Sequence, residues 1–215
     1  MNRSYYTAVS MFCFLGCASG SALTGSSGPL ASEYAPLVVG AYWTYDVNYP
    51  GQKGEMTVKL TSLKDGYFLD DRNGAFQHTL NGLRDRERYL IRGPIKAGAT
   101  WKSVVGPSAV EHMKIEEVGA SCESLAGRFD DCLIVSGRIR RDKNMQLLIR
   151  WTWARGVGLV KMETEAEVAG KGRLPQVSQN LKDYSLKPGT QPVAPLKPKQ
   201  ETQTEDDGPN TWISE

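Results

Sequence analysis

Residues 147–168 read LLIRWTWARGVGLVKMETEAEV. Leu147, Ile149, Trp151 and Trp153 fall on alternate positions. Val160, Met162, Thr164 and Ala166 do the same in the second half, opposite Lys161, Glu163, Glu165 and Glu167. A period of two marks a strand with one apolar and one polar face. Between the two runs sits Arg155-Gly156-Val157-Gly158, whose glycines suit a turn or bulge. The stretch predicts an antiparallel hairpin, and the same pattern recurs through the middle of the chain.

Trp43, Tyr45 and Val47 alternate with Thr44 and Asp46, and Met56, Val58 and Leu60 alternate with Thr57 and Lys59. The segment PGQKG at 50–54 separates these runs and reads as their turn. Asn73-Gly74 is a second tight-turn signal, because both residue types tolerate positive φ. A last strand is expected over 176–186. No long stretch carries a helical period, although a short helix fits 32–38 or 121–126. Regular hairpin spacing points to a mainly β domain with few short helices. Its core is a single strongly curved antiparallel sheet, a half-barrel or open barrel of about eight to ten strands that curls to bury one face. Trp and Tyr side chains are expected inside.

The ends differ in composition. Asn2 to Ser4 form a short, basic leading region. Tyr5 to Gly16 is mostly apolar and runs into small residues, the anatomy of a secretory signal. Phe14-Leu15-Gly16-Cys17 resembles the lipobox of bacterial lipoproteins, with Phe14 and Leu15 in place of the usual Leu and small residue. The resemblance implies a signal peptide over 1–16 and diacylglyceryl attachment to the Cys17 thiol, followed by cleavage that leaves an acylated N-terminus. An ordinary signal peptide cut after Ala18 or Ala22 is the alternative. Residues 17–33 are rich in Gly, Ser and Ala and read as a flexible tether with a root-mean-square span of about 20–24 Å. By analogy with enteric lipoproteins, Ala18 after the cysteine favours the outer membrane, with the domain facing the periplasm. The β-domain occupies 34–186. Residues 187–215 form a Pro-rich, then acidic tail with too little apolar surface to order itself. Trp212 and Ile213 stand out there as an apolar pair.

Charge narrows the partners. Twenty-six basic residues face 24 acidic ones, a formal net charge of +2. That balance gives no general pull toward nucleic acid. In LRDRERYLIR (83–92), a strand would put Arg84, Arg86 and Arg88 on one face. Arg138, Arg140 and Arg141 form a second basic cluster. Either cluster fits an anionic partner, or a solvent face balanced by carboxylates such as Asp130 and Asp131.

Export bears on the cysteines. Cys122 and Cys132 are ten apart between two strand-like flanks, and an oxidising compartment favours a disulfide between them. The other reading, a redox or metal pair, lacks the CxxC spacing and an intervening histidine. His78 and His112 both sit in strand-like runs without the convergent ligands a metal needs. Ser108 lacks a nucleophile-elbow context, and RGVGLV follows a strand rather than opening a helix. No catalytic, cofactor or metal residue is therefore singled out.

The order of short motifs carries a broader resemblance. Pro36, Leu37, Gly40, Trp43 and Tyr45 come first, then Pro94, Gly98 and Trp101. Gly127, Phe129 and Cys132 follow, and GVGLVK at 156–161 closes the series. This series is similar to that of a broad group of secreted and lipid-anchored β-rich bacterial proteins of uncharacterised function. The resemblance implies a curved antiparallel sheet and supplies no catalytic residues. A more distant fold-level analogy is the half-barrel of periplasmic lipoprotein carriers, which hold acyl chains. The expected function is a non-enzymatic envelope lipoprotein, held to the membrane by its lipid anchor. It would bind an amphiphilic ligand or a partner protein on the curved sheet, with Trp43, Tyr45, Trp101, Trp151 and Trp153 lining the cleft or filling the core. A scaffold of an envelope complex with no small ligand is the alternative, and a hydrolase the more remote one.

Overall fold

The computed structural model describes residues 28–106 and 109–187. The chain opens with one helical turn, α1 (Ala31–Tyr34). Twelve strands follow: β1 (Tyr42–Tyr49), β2 (Gln52–Lys64), β3 (Tyr67–Asp70), β4 (Ala75–Thr79), β5 (Gly82–Arg84), β6 (Tyr89–Arg92), β7 (Thr100–Val105), β8 (Ala109–Ser124), β9 (Gly127–Arg140), β10 (Met145–Ala154), β11 (Gly158–Val168) and β12 (Gly172–Ser185). They form one antiparallel sheet in the order β6-β5-β4-β3-β2-β1-β12-β11-β10-β9-β8-β7. Consecutive strands are neighbours everywhere except β6 and β7, the two edges, and the β1–β12 pairing joins the two meanders.

The expected curved sheet is thus present, and it curls until it nearly closes into a barrel. It holds twelve strands rather than eight to ten. The surplus lies in β3 to β6, strands of three to five residues. Runs that short offer one or two alternations, too few to establish a period. Curvature comes from bulges. The pairing register slips at Thr44/Tyr45, Thr152/Trp153 and Thr164/Glu165, and three times along β8. Each bulge adds a residue to one side of a ladder, which bends and twists the strand.

The hairpin read from residues 147–168 forms with Trp151 opposite Met162 and Leu147 opposite Ala166. Its turn needs glycine at 158. That residue sits at φ +118°, and a Cβ there would lie 2.9 Å from the Trp43 indole nitrogen. The short helix lies at 31–34, so Ala31 and Tyr34, 7% and 0% exposed, pack into the core. Residues 121–126 are the end of β8 and its turn instead of a helix.

The interior divides into two apolar clusters. One gathers α1, β5, β6 and the inward faces of β7 to β10, including Leu83, Leu90, Trp151 and Trp153. The other gathers β1, β2 and the β10–β12 side, including Trp43, Tyr45, Leu60 and Leu181. Leu37 and Phe76 pack against both.

Candidate functional site: an aromatic cavity inside the barrel

The two clusters do not meet completely. Between them lies a half-open cavity of about 290 Å³, at the small end of the range for small-molecule sites. Its walls are mostly apolar. Trp43, Tyr45, Leu60, Met56 and Val58 come from β1 and β2, Trp151, Trp153 and Leu159 from β10 and β11, and Leu83, Leu90 and Phe76 from the short strands. Ala35, Pro36 and Leu37, just after α1, contribute too. The polar members are Asp70, Asp85, Arg88 and Gln179.

The aromatic donors have different fates. Trp43 Nε1 donates to the Val157 carbonyl at 2.7 Å, and the Tyr45 hydroxyl to the Leu159 carbonyl at 3.0 Å. The rings are thereby pinned to the β10–β11 turn and the start of β11, and offer the cavity carbon surface. Burial raises the Tyr45 hydroxyl pKa well above its ordinary value, so it stays neutral. Trp153 is 7% exposed, and its Nε1 is buried without a hydrogen-bond partner among the described residues.

Arg88 is the cation of the site. Its Nη1 donates to Glu111 Oε2 at 2.5 Å, and its Nε lies 3.4 Å from Asp85 Oδ2. The guanidinium carbon stands 5.6 Å from the centre of the Trp151 ring, within cation–π range. Glu111 shares the inward face of β8 with Met113 and Ile115, and its side chain is fully buried. Burial pushes its carboxyl pKa up, against the pull of Arg88. Its second oxygen, Oε1, has no partner among the described residues. Gly137 makes room for it: a Cβ there would sit 2.7 Å from Oε1 and 3.0 Å from the Trp151 ring.

The Arg88–Glu111 pair also spans the barrel seam. Arg88 immediately precedes edge strand β6, and Glu111 lies opposite Ser103 of edge strand β7. A second bridge is the Trp101 indole N–H, which donates to the Tyr89 carbonyl at 3.0 Å. Side chains, not a backbone ladder, close this side.

The N-terminal segment is clamped where the β10–β11 turn ends the sheet. Arg155 pairs with Glu33 at 2.5 Å and Asp131 at 2.7 Å, 5.3 Å from the Tyr34 ring centre. Tyr34 donates its hydroxyl to Asp131 at 2.8 Å, and the Gly156 N–H donates to the Glu33 carbonyl. His78 Nε2 adds a contact to the Ala35 carbonyl at 2.8 Å.

Trp43, Tyr45, Trp151 and Trp153, four of the five aromatics singled out in the sequence, line the cavity. Trp101 does not; it is 6% exposed and serves the seam. Cys122 and Cys132 are joined as a disulfide with Cα atoms 6.1 Å apart, near the β8–β9 turn. Cys17, with the signal-like stretch, and Trp212 with the tail, lie outside the described residues.

The strand expected over LRDRERYLIR does not form as such. Asp85 accepts the Glu87 and Arg88 N–H groups through Oδ1 and breaks the run into a turn at 85–88. That turn aims Arg88 inward instead of aligning it with Arg84 and Arg86. An aspartate opening a polar stretch is the turn signal in this sequence. Nor do Asp130 and Asp131 balance the arginine clusters: they pair with Arg128 and Arg155. His78 and His112 are on separate strands, and among the described residues no three His, Cys, Asp or Glu side chains converge as a metal site would need.

No protein-family model and no curated protein matches the chain. Among solved structures, the chain is similar to a "putative lipoprotein" from Parabacteroides distasonis. The two are 12% identical with a TM-score of 0.37, over 71% of this chain and 98% of that one.

Proposed function

We propose that this chain is a lipid-anchored protein of the bacterial envelope that holds an amphiphilic molecule inside its barrel and catalyses no reaction. The observation that carries this reading is the 290 Å³ cavity walled by Trp43, Tyr45, Trp151 and Trp153. Clefts of similar or larger volume lie elsewhere on the molecule, and this one is set apart by its aromatic, apolar walls. Apolar walls with a few polar groups at one side are the usual make-up of a small-molecule site. Cys17 behind its apolar run supports the anchor, with the outer membrane as its place and the periplasm as the compartment faced. Thioether-linked and amide-linked acyl chains together give the two or more chains that stable anchoring takes.

Mass spectrometry of two forms tests this. The wild-type chain extracted from membranes should lack residues 1–16 and carry acyl mass on Cys17. The Cys17→Ser chain, exported and purified without detergent, should carry a reproducible small-molecule adduct under native conditions. A bare Cys17→Ser mass would favour a scaffold that positions its domain without a ligand, and an unacylated wild-type chain would remove the anchor.

A further inference from the structure

The amphiphile reading leaves open which headgroup the cavity accepts, and the charges around it bear on that. Among the lining residues are two carboxylates, Asp70 and Asp85, and one guanidinium, Arg88. Arg88 is already engaged. Glu111 holds its Nη1 at 2.5 Å, Asp85 approaches its Nε at 3.4 Å, and the Trp151 face lies against it. Glu111 lies behind the wall, and in the lining itself Asp85 and Asp70, the latter capping the turn at 70–74 through Oδ1, stand against the single guanidinium, so the wall carries net negative charge. An anionic headgroup entering here would meet a cation whose charge is already matched and carboxylates that repel it.

The aromatic walls point the same way. Trp43 and Tyr45 spend their polar donors on the backbone carbonyls of Val157 and Leu159, which leaves ring carbon toward the space. Ring faces attract cations, and Arg88 over Trp151 is an example already in the wall. The wall is also incomplete as it stands. Trp153, nine-tenths buried and part of the lining, keeps Nε1 unpaired among the described residues, a donor that calls for an acceptor on the bound molecule and does not itself favour a cation.

We infer that the cavity selects amphiphiles with a cationic headgroup over those with an anionic one, Asp85 and Asp70 supplying the counter-charge and the aromatic walls holding the apolar chain. This inference rests on the amphiphile reading above and specifies its ligand class.

The test is a matched series of single-chain probes on the full chain carrying Cys17→Ser. Dodecyltrimethylammonium, dodecyl maltoside and dodecanoate are titrated below their micelle concentrations, with binding followed by tryptophan fluorescence and calorimetry. The expected result is dodecyltrimethylammonium bound about tenfold more tightly than dodecanoate, or better, with the maltoside between. Asp85→Asn keeps the side-chain oxygen that accepts the Glu87 and Arg88 N–H groups, so the turn survives, and it should shrink that preference severalfold. Equal affinities, or tighter binding of dodecanoate, would overturn the headgroup inference and leave the amphiphile reading standing. Binding of none of the three would overturn both.

Discussion

Arg88 and Arg155 are built alike and placed differently. Each guanidinium reaches two carboxylates and stands over an aromatic ring: Asp85, Glu111 and Trp151 for the first, Glu33, Asp131 and Tyr34 for the second. Around Arg155 the charged side chains are 35–42% exposed. The Tyr34 hydroxyl adds a donor to that set, and its result is to hold α1 against the end of the sheet. Around Arg88 the partner carboxylate is fully buried, one of its oxygens is unpaired, and the guanidinium borders a cavity. The same chemistry is a fastening in one place and a source of field in the other. What separates them is solvent, which reaches every member of the Arg155 set and leaves Glu111 dry in the other.

Removing a carboxylate from the buried set should have the largest effect. Glu111→Ala strips Arg88 of its closest partner and opens the seam bridge, and denaturant unfolding should show a loss of about 3 kcal/mol. A loss no greater than that of an exposed pair would mean that the buried set is as well solvated as the Arg155 set. Next comes Arg155→Ala. Its pairs are partly exposed, so it should cost at most about 1 kcal/mol, while amide exchange speeds up in 31–37 and stays unchanged in β8 and β9. Exchange spreading into those strands would make Arg155 a core element after all.

The smallest effect is one of pH. Glu111 has a folded pKa raised above its ordinary 4.5 by burial. A raised carboxyl binds more protons folded than unfolded, so its contribution to stability is present below the unfolded value and is lost as pH rises through the folded one. Glu111→Gln carries no such titration and keeps an oxygen for Arg88. The variant should therefore gain on the wild type as pH climbs from about 4.5 upward, read as the difference between their unfolding midpoints. A difference that does not move with pH would mean that burial does not raise the Glu111 carboxyl.

The long strands were readable because a half-buried strand writes its faces into alternate residues. Leu147 to Trp153 and Val160 to Ala166 did so over enough positions to fix both period and partner. The disulfide pair was readable for a related reason, since Cys122 and Cys132 flank one turn of one hairpin. Four of the cavity aromatics came with these strands, as inward positions of a curved sheet. The short strands and the buried pair did not. Arg88 and Glu111 belong to different hairpins, 23 residues apart, and meet only because the sheet curls. In VEHMKI (110–115) Glu111 has the parity of Met113 and Ile115, which gives its inward face, but nothing local shows the guanidinium it meets there. Trp101 shows the opposite limit. Its strand alternation gives an inward side chain, but the closeness of β6, which turns it from cavity wall to seam clasp, is a matter of closure.

That seam sets the mechanical character of the molecule. Eleven strand-to-strand ladders fix the spacing of neighbours around the sheet, and hydrogen-bonded spacing is nearly inextensible at about 4.8 Å. Between β6 and β7 the circumference depends instead on an indole N–H and a guanidinium on long side chains, which can swing without parting a ladder. The barrel is therefore a split ring. Its closure is carried at one place, where Arg88 is both the clasp and part of the inner wall.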